Sequence, residues 1–251
     1  MTGGTRNRGH GVDAPRDPGQ GRGDAVVRLA EDTIGFGMAE LRTARDLLLR
    51  PRAALEAYMA DGATGGGPYA RPLRFYLALC GVLMVVLFLM GGMKQILADW
   101  PAEVLDPLLA HSGKSRDAFV ADADGWISLI MVPFTAPFFA IAVAPLLKAW
   151  DHGLDWRHAF RATFVFMNAW TLPMLPVSPF VYTRAYMAPG MAVLGVLLVV
   201  AFARMGRGRW WRTWPGCLAR SLLLALACGI ATLVSSNLVF VLGLLGAIFF
   251  A

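Results

Sequence analysis

From Leu222 to Ala251, thirty residues pass without one charged side chain. A helix needs only about 20 apolar residues to cross the hydrocarbon core of a bilayer, so this run alone puts part of the chain in lipid. Four shorter apolar runs precede it, and the five together predict an all-α polytopic transmembrane bundle with spans over residues 73–92, 126–147, 159–182, 187–203 and 218–246. Composition agrees: the 251 residues are 57% hydrophobic and 16% charged, where soluble domains carry about 25% charge. A single helix over the last run would be about 45 Å long and overshoot the core by about 15 Å. A crossing that stops near Ser235-Ser236-Asn237 would leave a half-span. One long helix that starts in the headgroup layer is the expectation.

Ahead of the spans the chain is water-facing. Residues 1–24 are Gly, Arg, Asp and Pro with few large apolar side chains, too little to offset backbone entropy, and a disordered tail is expected. Residues 25–68 read as cytosolic amphipathic and juxtamembrane helices, with residues 69–251 as the transmembrane domain. Ile34, Met38, Leu41 and Leu48 recur at helical spacing, Arg50-Pro51 ends that helix, and Pro51 suits the first turn of another. Asp61 to Pro68 is a glycine-rich break. No apolar stretch follows Met1, so no signal peptide is expected and the first span directs insertion.

Charge sets the orientation. The last acid is Asp155, after which come eight arginines. Arg50, Arg52, Arg71 and Arg74 precede span 1; Lys148, Arg157 and Arg161 flank the link between spans 2 and 3; Arg204, Arg207, Arg209, Arg212 and Arg220 fill the link between spans 4 and 5. The intervening loops are acidic or poor in charge. The positive-inside rule therefore predicts a cytoplasmic N-terminus and a periplasmic C-terminus. Arginines beside apolar spans point to anionic lipid headgroups, not to nucleic acid.

Chemistry has few places to sit. Asp151, Asp155 and His158 would share a face on a continuous helix and could hold a divalent metal, although Gly153 interrupts the helix and a solvated, salt-bridged turn is the plainer reading. Pro133, Pro137, Pro173 and Pro176 break spans 2 and 3; with Asn168 they would line a ligand cavity between those spans or shape their packing. Asn168 and Asn237 are the deep amides, each expected to bond across helices. Ala227, Ala231 and Ser235 permit close helix approach. Arg209-Trp210-Trp211-Arg212 and Trp214 read as lipid-interface anchors. Cys80, Cys217 and Cys228 form no CxxC pair, so buried thiols are expected. No catalytic motif and no cofactor site is present in the sequence.

The block Leu41 to Tyr58, followed by Tyr69-Ala-Arg-Pro-Leu-Arg-Phe-Tyr76, resembles a bacterial membrane family in which a cytosolic "RP…Y…PL(R/K)FY" pattern precedes span 1. Trp156-Arg-His-Ala-Phe160 is similar to that family's segment at the same place, and the likeness extends over residues 41–170. Longer members carry a zinc ribbon that has no counterpart here, so no metal role is carried over. The five-span layout also resembles Yip-type membrane proteins. The resemblance implies a multi-pass protein of the bacterial inner membrane with a non-enzymatic membrane-organising or adaptor role, working with lipid, a membrane-protein partner or a second copy. A small permease or flippase using spans 2 and 3, and a metal-dependent enzyme, are the other readings.

Overall fold

The computed structural model describes residues 37–60, 67–90, 93–94, 97, 100–181 and 186–250. The expected tail, residues 25–36 of the expected helical region and residues 61–66 of the glycine-rich break lie outside them. Contacts divide the chain after Gly37, and Met38–Ala251 form one compact unit that holds both the amphipathic and the apolar helices. Among the described residues this unit is all helical, with one isolated bridge between Arg207 and Trp211.

The helices are α1 (Met38–Leu49), α2 (Pro51–Ala60), α3 (Pro72–Leu89), α4 (Ala102–Ser112), α5 (Arg116–Trp150), α6 (Trp156–Met174), α7 (Ser178–Val181), α8 (Met187–Gly206) and α9 (Trp214–Phe249). Proline opens α2 and α3, where a missing N–H costs nothing. Side chains at Ser115, Asp155 and Thr213 accept the first free N–H groups of α5, α6 and α9.

Four helices, α3, α5, α8 and α9, are long and apolar enough to cross a membrane. The predicted third span differs. α6 ends at Met174, three turn residues follow, and α7 covers only Ser178–Val181. α6 is the helix most wrapped by others, touching α1, α2, α3, α5 and α8. A helix enclosed by protein can keep Thr163, Asn168 and Thr171 buried where lipid would reject them. The C-terminal run is one unbroken helix of 36 residues, as expected.

α9 packs antiparallel along α5. At one end Arg220 of α9 lies over the Trp150 ring, 5.7 Å from its centroid, and at the other Trp126 meets Phe250 at 5.7 Å. The interface is close because α9 presents Ala231, Ser235, Gly243 and Gly246 along it. A Cβ on Gly243 would collide with Ile127, and one on Gly246 would lie 2.7 Å from the Trp126 ring.

α5 and α9, at 35 and 36 residues, run about 52 and 54 Å, well beyond a hydrocarbon core of about 30 Å. α5 begins ten residues before the expected span, capped by Ser115, and two of the acids in its early turns find partners. Asp124 accepts the Met93 N–H at 2.7 Å. Lys114 reaches both Asp122, at 2.8 Å, and the Ala247 carbonyl, at 2.6 Å, near the C-terminal end of the α9 dipole. α4 completes this far end over a core of Leu105, Phe119, Ile127 and Val239.

Candidate functional site

Polar chemistry gathers at the opposite end, where α5 stops, α6 starts, α8 stops and α9 starts. There α1 and α2 form a cap. Its inward face is not the expected stripe. Glu40, Thr43 and Leu47 are buried, whereas Met38, Leu41 and Leu48 face out beside Arg42 and Arg45. Ile34 lies outside the described residues. Thr43 Oγ1 donates to Ala39 and accepts the Ala70 N–H at 2.9 Å, while the Tyr58 hydroxyl donates to the Ala70 carbonyl at 2.6 Å. Tyr69 donates to Asp46 at 2.8 Å. Burial pushes the Tyr58 phenol up to about 12, and burial followed by the bond to Asp46 raises Tyr69.

Three bundle arginines fasten the cap, and Arg74 lies 3.6 Å from the buried Glu40 carboxylate. Arg161 donates to the Tyr58 carbonyl at 3.0 Å and Arg204 to the Leu49 carbonyl at 3.1 Å. Both acceptors lie in the last turns of their helices, where carbonyls have no helical partner and the dipole is negative.

The turn between α8 and α9 closes the site. Gly208, at φ 84°, donates its N–H to the Trp211 carbonyl at 2.7 Å; the left-handed conformation favours glycine. Trp210 stacks on Phe202 at 5.7 Å and meets Phe166 edge-on, and its carbonyl accepts from Arg220. Trp210 is 0% and Trp211 4% exposed, and both indole N–H groups are buried with no hydrogen-bond partner among the described residues. Expected as headgroup anchors, these two rings are instead enclosed by protein, because the tight turn folds them back onto α6 and α8. Arg212 and Trp214 do face outward.

The metal candidates part company. α5 ends at Trp150 and α6 begins at Trp156, so Asp151, Asp155 and His158 share no helix face. Asp151 pairs with Arg209 at 2.6 Å. Asp155 caps α6, accepting from the His158 N–H and ring Nδ1, both at 2.7 Å; the backbone bond first, then the ring, holds its carboxyl below the usual value. Among the described residues no group of three or more His, Cys, Asp or Glu converges on a metal position.

The proline candidates are also dispersed. Pro133 and Pro137 lie on the outer face of α5, in line with exposed Ile141 and Pro145, and α5 continues through all of them. Pro173 is partly buried in the last turn of α6 and Pro176 is exposed beyond it. Asn168 is 1% exposed and does bond across helices, Nδ2 to the Pro72 carbonyl at 2.8 Å, with Oδ1 unpartnered among the described residues. Asn237, in contrast, faces outward and bonds its own helix at Leu233.

The sequence reading overlooked a pair of adjoining clefts, about 440 and 550 Å³, between α2 and the end of α8, both lined by Arg52, Glu56 and Arg207. None of the five proline-site residues lines either one. The arginines counted for orientation and the expected lipid anchors Arg209, Trp211 and Trp214 line them, but nothing in the spacing brings them against α2. Compared with protein-family models, curated proteins and solved structures, the chain matches none.

Proposed function

We propose that this is a five-pass protein of the bacterial inner membrane, N-terminus inside and C-terminus outside, that organises the membrane or its proteins without catalysis, in the manner of Yip-type proteins. One observation carries the role: α1 is locked down on its polar inner face and leaves Met38, Leu41 and Leu48 exposed among arginines. An outward apolar and basic stripe at a bilayer surface suits the headgroup layer or a partner helix. Five passes follow if α6 and α7 together count as one, protein-sheathed crossing. A permease built on the broken helices loses its support, since Pro133 and Pro137 turn away from the bundle interior.

The test combines topology with contact. Reporter fusions at residues 110 and 185 and after Ala251 should all report the periplasm, and a cytoplasmic C-terminal fusion overturns the five-pass layout. A photocrosslinker at Leu41 or Leu48 should capture lipid or a membrane protein in cells, while one at the buried Leu47 stays intramolecular. Equal, purely intramolecular products from all three positions overturn the organising role.

A further inference from the structure

The adjoining clefts hold more positive charge than the fold uses. Among the described residues, Arg50, Arg52, Arg204, Arg207 and Arg209 line them against a single acid, Glu56. Arg52 pairs with Glu56 at 2.8 Å and Arg209 with Asp151 at 2.6 Å. Arg204 is bonded, among the described residues, only to a neutral carbonyl. Among the described residues, Arg50 and Arg207 have no ion pair, so three guanidinium charges border the clefts with no acid opposite them. Like charges brought together at such a place raise the energy of the empty protein, and an anion relieves it.

The walls say what kind of anion. Leu55, Met59 and Met205 give the first cleft an apolar floor, and Trp211 and Trp214 edge the second. Below Arg204, one and two helical turns along α8, lie exposed Val200 and Val196; beyond Trp214, at the same spacing along α9, lie exposed Leu218 and Leu222. A basic cleft thus opens onto two apolar tracks that lead towards the membrane interior. Guanidinium forks match the oxygens of a phosphate group, and the tracks match acyl chains.

We propose that the cleft between α2 and the α8–α9 turn is a binding site for the phosphate headgroup of an anionic phospholipid, held by Arg50, Arg204 and Arg207 with its chains along α8 and α9. The inference rests only on the part of the proposed function that places this end at the bilayer surface; it does not require the organising role. Lipid bound at this position would bridge the cap to the bundle and so stiffen the mount of α1.

Native mass spectrometry of the detergent-purified full chain tests it, with phosphatidylglycerol, phosphatidylcholine or inorganic phosphate added. One phosphatidylglycerol per chain should be retained in preference to phosphatidylcholine. The double variant Arg50→Gln/Arg207→Gln, whose side chains support no ion pair in the fold, should bind it about thirty-fold more weakly. Arg71→Gln/Arg157→Gln removes the same charge from exposed positions outside the cleft and outside the α1 stripe, and should leave binding unchanged. Equal weakening by the two double variants, or no preference for the anionic lipid, overturns the site. Displacement of the lipid by millimolar inorganic phosphate would assign the cleft to free phosphate and overturn the lipid assignment. Circular dichroism melts that match the wild type separate lost binding from lost fold. The crosslinking test at Leu41 and Leu48 reads a different surface, so either proposal can fail alone.

Discussion

Replacing Gly243 by alanine adds one methyl group to α9 and should cost more than its size suggests. The new Cβ collides with the Ile127 side chain and lies 3.2 Å from its backbone N and 3.3 Å from its Cα. A side chain can turn aside, but the α5 backbone can yield only if the two helices separate. Overpacking of this kind costs about 1–3 kcal/mol, while the better helix propensity of alanine returns up to about 1 kcal/mol. Gly229, on the same helix, has nothing within 4 Å of its would-be Cβ. Gly229→Ala therefore receives the propensity gain alone. The two variants differ only in position, and their stabilities should stand about 1–3 kcal/mol apart in reversible SDS titration followed by circular dichroism. Gly246→Ala should fall between them, because its obstacle is the Trp126 ring, 2.7 Å away but able to rotate; its mark would be a shift in tryptophan emission. Coincident midpoints for Gly243→Ala and Gly229→Ala would refute the close α5–α9 approach.

Two further tests concern the basic end. Burial pushes the Tyr58 phenol in the folded cap up to about 12 from an ordinary 10.0, so its contribution is whole below pH 10.0 and is lost as pH rises through about 12. Protection of the Ala70 amide, taken relative to base-catalysed intrinsic exchange, should fall across that window, and Tyr58→Phe should weaken the dependence without abolishing it, since Tyr69 is raised too. An unchanged pH profile in the variant would count against the burial of Tyr58. Asp155 acts with the opposite sign. Bonds from His158 hold its carboxyl below 3.8, so its capping of α6 is present above that pH and lost as pH falls through the lowered value. Asp155→Ala should lower the thermal midpoint at pH 7 and flatten the acid limb of the profile, and identical melts would show that the cap contributes nothing.

What the sequence disclosed was what lipid demands. Long charge-free runs can hardly be anything but membrane helices, and the residues of α3, α8 and α9 were legible for that reason. α6 was harder, because a helix sheathed by protein obeys different rules: Arg157, His158 and Arg161 at its start and Asn168 within it dilute the apolar signal. The first turns of α5 looked like loop because Asp117, Asp122 and Asp124 are there, and only the fold supplies Lys114 and the Met93 N–H as partners for two of them. Tryptophan beside arginine has the same signature whether the ring meets headgroups or folds inward, so Trp210 and Trp211 could not be placed by composition. The basic cleft depends on bringing Arg52 against Arg207, and no spacing rule spans that separation.

Arg161 and Arg204 hold the cap by main-chain carbonyls, which every residue possesses whatever its side chain. These two attachments are therefore indifferent to side-chain identity, and the rest of the seat is confined to the inward Glu40, Thr43, Asp46 and Tyr58. Drift on the outer stripe could rewrite what the cap touches while its seat stays the same, making this end of the molecule the part most free to acquire new associations.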